Sequence, residues 1–293
     1  MAKARRAGGV KRVEGSFLTP ETLMALVSQL GASRIGSAVD AAQEVMFDAW
    51  ECDDPKKRIA LARKALKISP LCADAYVLLA RETASTPEEA LGLYVEAVTA
   101  GERALGKAAF KDDVGMFWGL IETRPYMRAR QGLALAQWAS GRREEAAEGA
   151  RDMLRLNPND NQGIRYLLVD WLLQLGRDEE AAALLKRYKD DGAEWLWPAV
   201  LACFRAKGDG AASRSALKRA LGANAHVPAY LLGRKKLPRR MPDFVTMGGV
   251  DEAISYAEQA MSTWARTPGG LEWLAGTVGP KARNSRTLTS RRS

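Results

Sequence analysis

The 293-residue sequence predicts an all-α protein, an α-solenoid of stacked helical hairpins, and three observations support this fold class. The string Gly141-Arg-Arg-Glu-Glu-Ala-Ala147 recurs as Gly176-Arg-Asp-Glu-Glu-Ala-Ala182, thirty-five positions later. The pattern Arg-x-x-Leu-basic-aliphatic-polar-Pro occurs at 63–70 and again at 151–158. Strand signals are nearly absent, and helix-favouring residues dominate. The repeat length is close to the 34-residue tetratricopeptide unit, which is one helix-turn-helix hairpin.

The first predicted helices are marked by helix-start signals and by helical apolar spacing. Thr19-Pro20-Glu21 is typical of a helix start, with proline in the first turn. A helix is expected at about 37–51, and the repeat pattern is present again in 53–70. The next hairpin is predicted at 72–84 and 87–105, and its second helix also opens with a Thr-Pro-Glu sequence.

The clearest repeats span 126–160 and 161–195. In the first of them, Gly132 is small at a point where the two helices of a hairpin approach closely. Gly141 suits the turn between the helices because glycine adopts a positive φ at little cost. Pro158 is expected to end the second helix.

The repeat pattern weakens toward the C-terminus. A degenerate unit is predicted with helices at 195–204 and 211–221, and residues 233–249 form a loop rich in proline, glycine and basic residues. Helices are expected again within 250–276, which we interpret as a C-terminal cap. The predicted repeat domain spans 17–279, and stacking buries apolar flanks that a single hairpin leaves exposed.

The net charge of +9 is concentrated at the two ends of the chain. Residues 1–16 carry a charge of +4, residues 280–293 carry +5, and both segments lack aromatic side chains. Residues 17–279 contain 34 basic and 34 acidic residues, so this part is neutral by formal count. We predict two disordered basic tails and a repeat domain without the basic stripe of a nucleic-acid-binding domain.

Residue types that metal or catalytic chemistry requires are scarce. His226 is the only histidine, and the three cysteines share no CxxC spacing, so we expect no metal site and no cofactor. The segment 101–107 matches GxxxxGK, but Ala108 follows where a phosphate loop needs Ser or Thr. A helix end with chance spacing is the preferred interpretation. The sequence therefore predicts that the chain is not an enzyme.

The apolar runs are too short to suggest a membrane span. The longest, at 167–175, is broken by polar residues well short of the roughly 20 residues that cross a bilayer. No apolar signal-peptide core follows the N-terminal charges. An odd number of cysteines fits a reducing compartment. We expect a soluble, cytoplasmic chain with no membrane partner.

Several strings resemble one known protein family. The most specific are His226-Val-Pro-Ala-Tyr-Leu-Leu232 and Asn159-Asp-Asn-Gln-Gly163. Together with 117–130, 251–257 and Trp264, they resemble the suppression-of-tumorigenicity-7 family and its soluble bacterial relatives, over about residues 100–275. The resemblance implies a tetratricopeptide-like helical fold and no established catalytic residues. This sequence lacks the transmembrane segments of the animal members, so no membrane role is carried over from them.

The connection at 157–162 allows two interpretations. Its Asn and Asp side chains suit a turn and the start of the following helix. Alternatively, it lines a groove, because the first helix of each tetratricopeptide hairpin faces the concave surface. Arginine and amide side chains can grip a peptide carboxylate there. Helical counting aims four side chains inward, and two neighbours complete the candidate groove residues: Arg128, Gln131, Gln162 and Arg165, with Arg124 and Tyr126 nearby.

The function predicted from these observations is that of a non-catalytic helical-repeat scaffold, which binds a protein or peptide partner in its concave groove. The alternative is a nucleic-acid- or ribosome-associated protein that is tethered only through its basic tails. Binding of that second kind would weaken steeply as the salt concentration rises, because it depends on phosphate contacts.

Overall fold

The computed structural model describes residues 37–279, which contain thirteen α-helices and no strand. The helix start at Thr19 and both basic tails, 1–16 and 280–293, lie outside the described residues. The helices are α1 Ala38–Glu51, α2 Pro55–Ile68, α3 Ala73–Thr83, α4 Pro87–Asp112, α5 Arg124–Ala139, α6 Arg143–Leu156, α7 Ile164–Gln174, α8 Asp178–Arg187, α9 Ala193–Lys207, α10 Ala211–Ala223, α11 Val227–Leu231, α12 Val250–Ala265 and α13 Gly270–Val278. The all-α fold class is confirmed.

Helix starts follow the sequence signals closely. Ser37 and Asp40 form a reciprocal capping box at α1. The side chains of Asp54 and Thr86 cap α2 and α4, and a proline occupies the first position of each helix. Such caps satisfy backbone N–H groups that have no partner within the helix.

Helix α4 is longer than the sequence predicts. It continues to Asp112, although Gly106 within it has a φ of 72° and kinks the helix. The extra turn places Phe110 against Tyr126 of α5, with ring centroids 5.1 Å apart. Burial of this aromatic pair explains why the helix resumes after the kink.

Hairpins pair in sequence order, and the turns inside them are those that the sequence predicts. Gly141 and Gly176 join α5 to α6 and α7 to α8, with φ values of 83° and 73°. Gly132 allows a close approach between α5 and α4, since a Cβ atom there would lie 2.1 Å from the ring of Tyr94. Trp138 and Trp171, from the first helices of the two repeats, stack with their ring centroids 4.7 Å apart.

The first helices of the hairpins converge on one side of the stack. Helix α3 contacts α5, α7 contacts α9, and α9 contacts α12. Helix α12 also contacts α7, two hairpins earlier in the chain. Such a contact requires a curved stack with the first helices on its inner side. We call this side the inner face.

The segment expected to cap the stack does more than cover its end. Helices α12 and α13 occupy it, and the loop at 233–249 precedes them. Because α12 lies against both α7 and α9, it becomes one wall of a groove on the inner face. Trp264 of α12 and Trp197 of α9 are fully buried in the core beneath it.

Candidate binding groove

Arg128, a predicted groove residue, is held by a buried carboxylate. Its Nε atom donates to Asp74 of α3 at 2.8 Å, and a second guanidinium nitrogen pairs with the same carboxylate. Asp74 is 0% exposed, and Gln43 of α1 also donates to it at 2.8 Å. Arg128 therefore joins the first helices of neighbouring hairpins, and its charge is already neutralised.

The two predicted glutamines bind each other across hairpins. The Nε2 atom of Gln162 donates to Oε1 of Gln131 at 3.0 Å and to the carbonyl of Met127 at 3.2 Å. The Oε1 atom of Gln162 is buried and has no hydrogen-bond partner. The structure brings these two amides together, and the pair retains one unused acceptor.

Arg165 is surrounded by its own carboxylates and aromatic rings. It pairs with Asp160 at 3.1 Å and with Asp190 at 2.8 Å, and its guanidinium lies 4.3 Å from the centre of the Tyr166 ring. Asp160 accepts from the backbone N–H of Ile164 at the start of α7, as expected for a capping residue. The turn interpretation of this connection is thus the one that the contacts show.

Tyr126 does not face a groove, and that prediction is wrong. The residue is 2% exposed and packs between Phe110 and Phe117, while its hydroxyl accepts from Arg130 at 2.7 Å. Tyr126 was expected near the groove, but the kinked end of α4 covers this face of α5. Arg124 is half-buried, with its Nε donating to the carbonyl of Trp118 at 2.9 Å.

The open part of the inner face lies further along the stack, between α7, α9 and α12. Two adjoining clefts share Leu173, a narrow one with a volume of about 20 Å³ and a wider one with a volume of about 700 Å³, and both open to solvent. Their floor is one face of α9, on which residues recur every three or four positions. We call this feature the α9 groove, and its floor residues are Glu194, Pro198, Leu201 and Arg205.

The walls of the α9 groove come from the neighbouring first helices. Tyr166 and Asp170 project from α7, whereas α12 contributes a stripe with helical spacing. The stripe consists of Tyr256, Gln259, Ala260 and Thr263. At the wider end, the turns after α7, α9 and α12 surround the cleft and include Arg266.

Two buried ionic groups fix the spacing of these helices. Arg205 donates to the carbonyl of Leu173 at 2.8 Å, to Asp178 at 2.9 Å and to the hydroxyl of Thr267 at 2.9 Å. Glu252, which is 4% exposed, accepts from the backbone N–H of Ala193 at 2.9 Å. It thereby ties the start of α12 to the N-terminus of α9, where a negative charge is favourable.

The narrow end of the groove holds two carboxylates without a cationic partner in an ion pair. Burial raises the pKa of Asp170 to about 6, against the lowering effects of Gln174 and of the charge on Arg266. Burial also raises the pKa of Glu194, and the nearby charge on Glu252 adds to this. Neither carboxylate forms an ion pair within the described residues. Neither residue was among the groove residues predicted from the sequence.

Asp170 is expected to lower the stability of the fold when it is ionised. Its pKa is higher in the folded state than in the unfolded chain, so folding takes up protons between about pH 4 and pH 6. Stability therefore falls as the pH rises through this window. We expect Asp170→Asn to raise the free energy of unfolding by about 1–3 kcal/mol at pH 7.5, since about two pKa units correspond to roughly 3 kcal/mol.

The measurement is urea unfolding, followed by circular dichroism, at pH 4, 5, 6 and 7.5. The gain from Asp170→Asn should shrink to well under ~1 kcal/mol at pH 4, where the carboxyl is protonated in the folded state and about half protonated in the unfolded chain. Asp191→Asn is the matched control because Asp191 is exposed and forms no ion pair. A gain that is equal at all four pH values would contradict the burial of a charged Asp170.

The described residues offer no other chemistry of note. No group of three or more His, Cys, Asp or Glu side chains between 37 and 279 is arranged to hold a metal ion. The three cysteines are free, and His226 lies exposed at the start of α11. No helix in the same range is long and apolar enough to cross a membrane.

Comparisons with known proteins agree with the resemblance seen in the sequence. The family model described as ST7 protein matches residues 36–200. Suppressor of tumorigenicity 7 protein from Macaca fascicularis is 30% identical over 80% of this chain and 52% of its own length. The protein of the same name from Rattus norvegicus is also 30% identical, over 80% of this chain and 48% of its own length. The chain thus spans about half the length of these curated relatives.

Among solved structures, that of YrrB, a tetratricopeptide-repeat protein with an unusual peptide-binding site, aligns with a TM-score of 0.45 and 14% identity. The alignment covers 68% of this chain and 90% of YrrB. The family model covers more than half of the chain, and the relatives match 80% of it at 30% identity. On this evidence, the chain belongs to the ST7 protein family.

Proposed function

We propose that this chain is a non-catalytic scaffold that binds a peptide segment of a partner protein in the α9 groove. The observation that carries the proposal is Asp170, a mostly buried carboxylate that lines an open cleft without an ion pair. A perturbed carboxyl in a cleft is typical of functional sites. Since its charge costs stability, an apolar or amide residue would serve the fold better at this position.

The form of the groove also supports a peptide ligand. Its floor follows α9 from Glu194 to Arg205, about 16 Å at 1.5 Å per residue. An extended peptide of about five residues has this length. The walls belong to rigid helices, so little ordering would accompany binding.

The predicted residues take a smaller part in this proposal. Arg128 and Arg165 are paired with carboxylates and serve the stack. Gln131 and Gln162 extend the binding face from α7 toward α5 through the free Oε1 of Gln162. The absence of an assembled acid-base pair in the sequence supports a binding role, and the free cysteines support a reducing location such as the cytoplasm.

Affinity purification of the full chain, followed by mass spectrometry, tests the proposal. Gln259→Trp places a large side chain at the mouth of the narrow cleft, because Gln259 is exposed and lines it. The matched control is Glu258→Trp, since Glu258 is exposed on the same turn of α12 and does not line the cleft. We expect Gln259→Trp to reduce the recovered partner at least tenfold.

The control variant should recover the same partner as the wild type. Circular dichroism would show that both tryptophan variants are folded. Recovery of the same partner in equal amount by both variants would remove the α9 groove from the interface and overturn the proposal.

A further inference from the structure

We infer that the narrow end of the α9 groove recognises a cationic side chain, a lysine or arginine of the bound peptide. The inference rests on the proposed function, because it assumes that a peptide lies in the groove. It specifies the charge of the bound side chain, which follows from the hydrogen-bond acceptors at this end of the groove.

The carboxylates of Asp170 and Glu194 approach the narrow cleft from opposite helices, α7 and α9. Asp170 accepts one hydrogen bond, from Gln174 at 2.7 Å. Glu194 accepts only a long one, from Ser255 at 3.5 Å. The two carboxylates therefore accept few hydrogen bonds from the protein itself. Each carboxylate can accept several donors, so both can bind further ones.

One further polar atom in the same cleft is independent of the carboxylates. The hydroxyl of Thr263, a residue that is 1% exposed and lines the cleft, is buried with no hydrogen-bond partner among the described residues. Buried polar atoms without partners are rare in folded proteins and mark a missing partner.

A cationic nitrogen fits this set better than a neutral or anionic group. An ammonium or guanidinium presents only donors, and the cleft presents mainly acceptors. The charge of Arg266 acts on Asp170, but Arg266 is exposed, lines the wider cleft and forms no ion pair with a described carboxylate. The position between the carboxylates is left for a ligand.

The narrowness of the cleft favours a side chain over a whole charged segment. Its lining is largely apolar apart from the acceptors and includes Leu173, Leu201 and Ala260. A cleft of about 20 Å³ admits one water-sized group, such as an ammonium or the end of a guanidinium, at the carboxylates, while its apolar lining contacts the adjoining methylenes of the stem. One basic residue of the peptide would therefore occupy a fixed position in the groove.

A positional-scanning library of ten-residue peptides, presented to the immobilised full chain, tests the inference. We expect lysine or arginine to be enriched at least fivefold at one position of the peptides that bind. The double variant Asp170→Asn, Glu194→Gln should lose this enrichment. It removes two charges and keeps the shape of both side chains, and the first substitution is expected to stabilise the fold.

The matched control is the double variant Asp191→Asn, Glu258→Gln. It changes the net charge equally, and both residues are exposed and lie outside the cleft. It should keep the enrichment, which separates recognition in the cleft from a general attraction of basic peptides. The single variant Glu194→Lys should switch the enriched residue from a base to Asp or Glu.

The possible failures are distinguishable. If the peptides that bind show no preference for lysine or arginine, the cationic inference is wrong, but the proposed peptide groove is unaffected. Equal enrichment in the cleft variant and the control would do the same. If no peptide is enriched above the blank support, and Gln259→Trp also leaves the partner bound, the peptide groove itself is refuted.

Discussion

Arg128→Ala is expected to lower the free energy of unfolding by about 3–5 kcal/mol, because it leaves a buried charge without its partner. Asp74 is 0% exposed, and Arg128 supplies two of the donors that its carboxylate accepts. The remaining donor is the neutral amide of Gln43. Urea unfolding at pH 7.5 measures the effect, and hydrogen exchange should show the opening between α3 and α5.

Two variants separate this cause from simple loss of a surface charge. Arg124→Ala, one turn earlier on α5, removes a half-buried arginine that contacts a backbone carbonyl and should cost about 1 kcal/mol. The pair Asp74→Ala, Arg128→Ala should cost less than the sum of its single changes, since no unpaired charge remains. A stability of Arg128→Ala within about 1 kcal/mol of the wild type would contradict the account.

Arg205→Ala is the second large effect, with an expected loss of about 3 kcal/mol from several charge-assisted hydrogen bonds. Arg205 is the point at which the ends of α7, α9 and α12 are joined at the floor of the groove. Its removal leaves the carbonyl of Leu173 and the hydroxyl of Thr267 without this donor. The loss should also loosen α12, so amide hydrogen exchange in 250–265 should become faster than in the wild type.

Arg177→Ala is the control for Arg205→Ala. Arg177 also joins different hairpins, through Glu144 at 2.9 Å, but it is about one-third exposed. A pair in that position is worth under about 1 kcal/mol. Arg205 would not be the residue that links the ends of α7, α9 and α12 if both variants lose equal stability. The same conclusion would follow if exchange in α12 is unchanged in Arg205→Ala.

Much of the fold could be predicted from the sequence because its signals are local. The Gly141 and Gly176 turns require positive φ, and the prolines at 55 and 87 mark helix starts, so each hairpin is encoded within about 35 residues. The resumed helix after Gly106 was missed. Its cause is the contact of Phe110 with Tyr126, which depends on the packing of another helix.

The candidate site was harder to predict because it depends on which helices meet. Arg128 and Arg165 have no obvious carboxylate partner within their own helices, so the sequence suggested that both were available to a ligand. Their partners, Asp74 and Asp190, lie 54 and 25 residues away in the sequence. The α9 groove exists only because α12 returns to α7. Two local signals did point to it: Asp170 interrupts an apolar run, and Pro198 lies inside a helix.

The central claim is that the α9 groove is where a partner binds. Hydrogen exchange of the full chain, with and without the partner recovered by affinity purification, tests it most directly. We expect slower exchange on binding in α7, α9 and α12, and no change in α2, which lies at the other end of the stack. Protection confined to the second helices α6, α8 and α10, with none in α9 or α12, would contradict it.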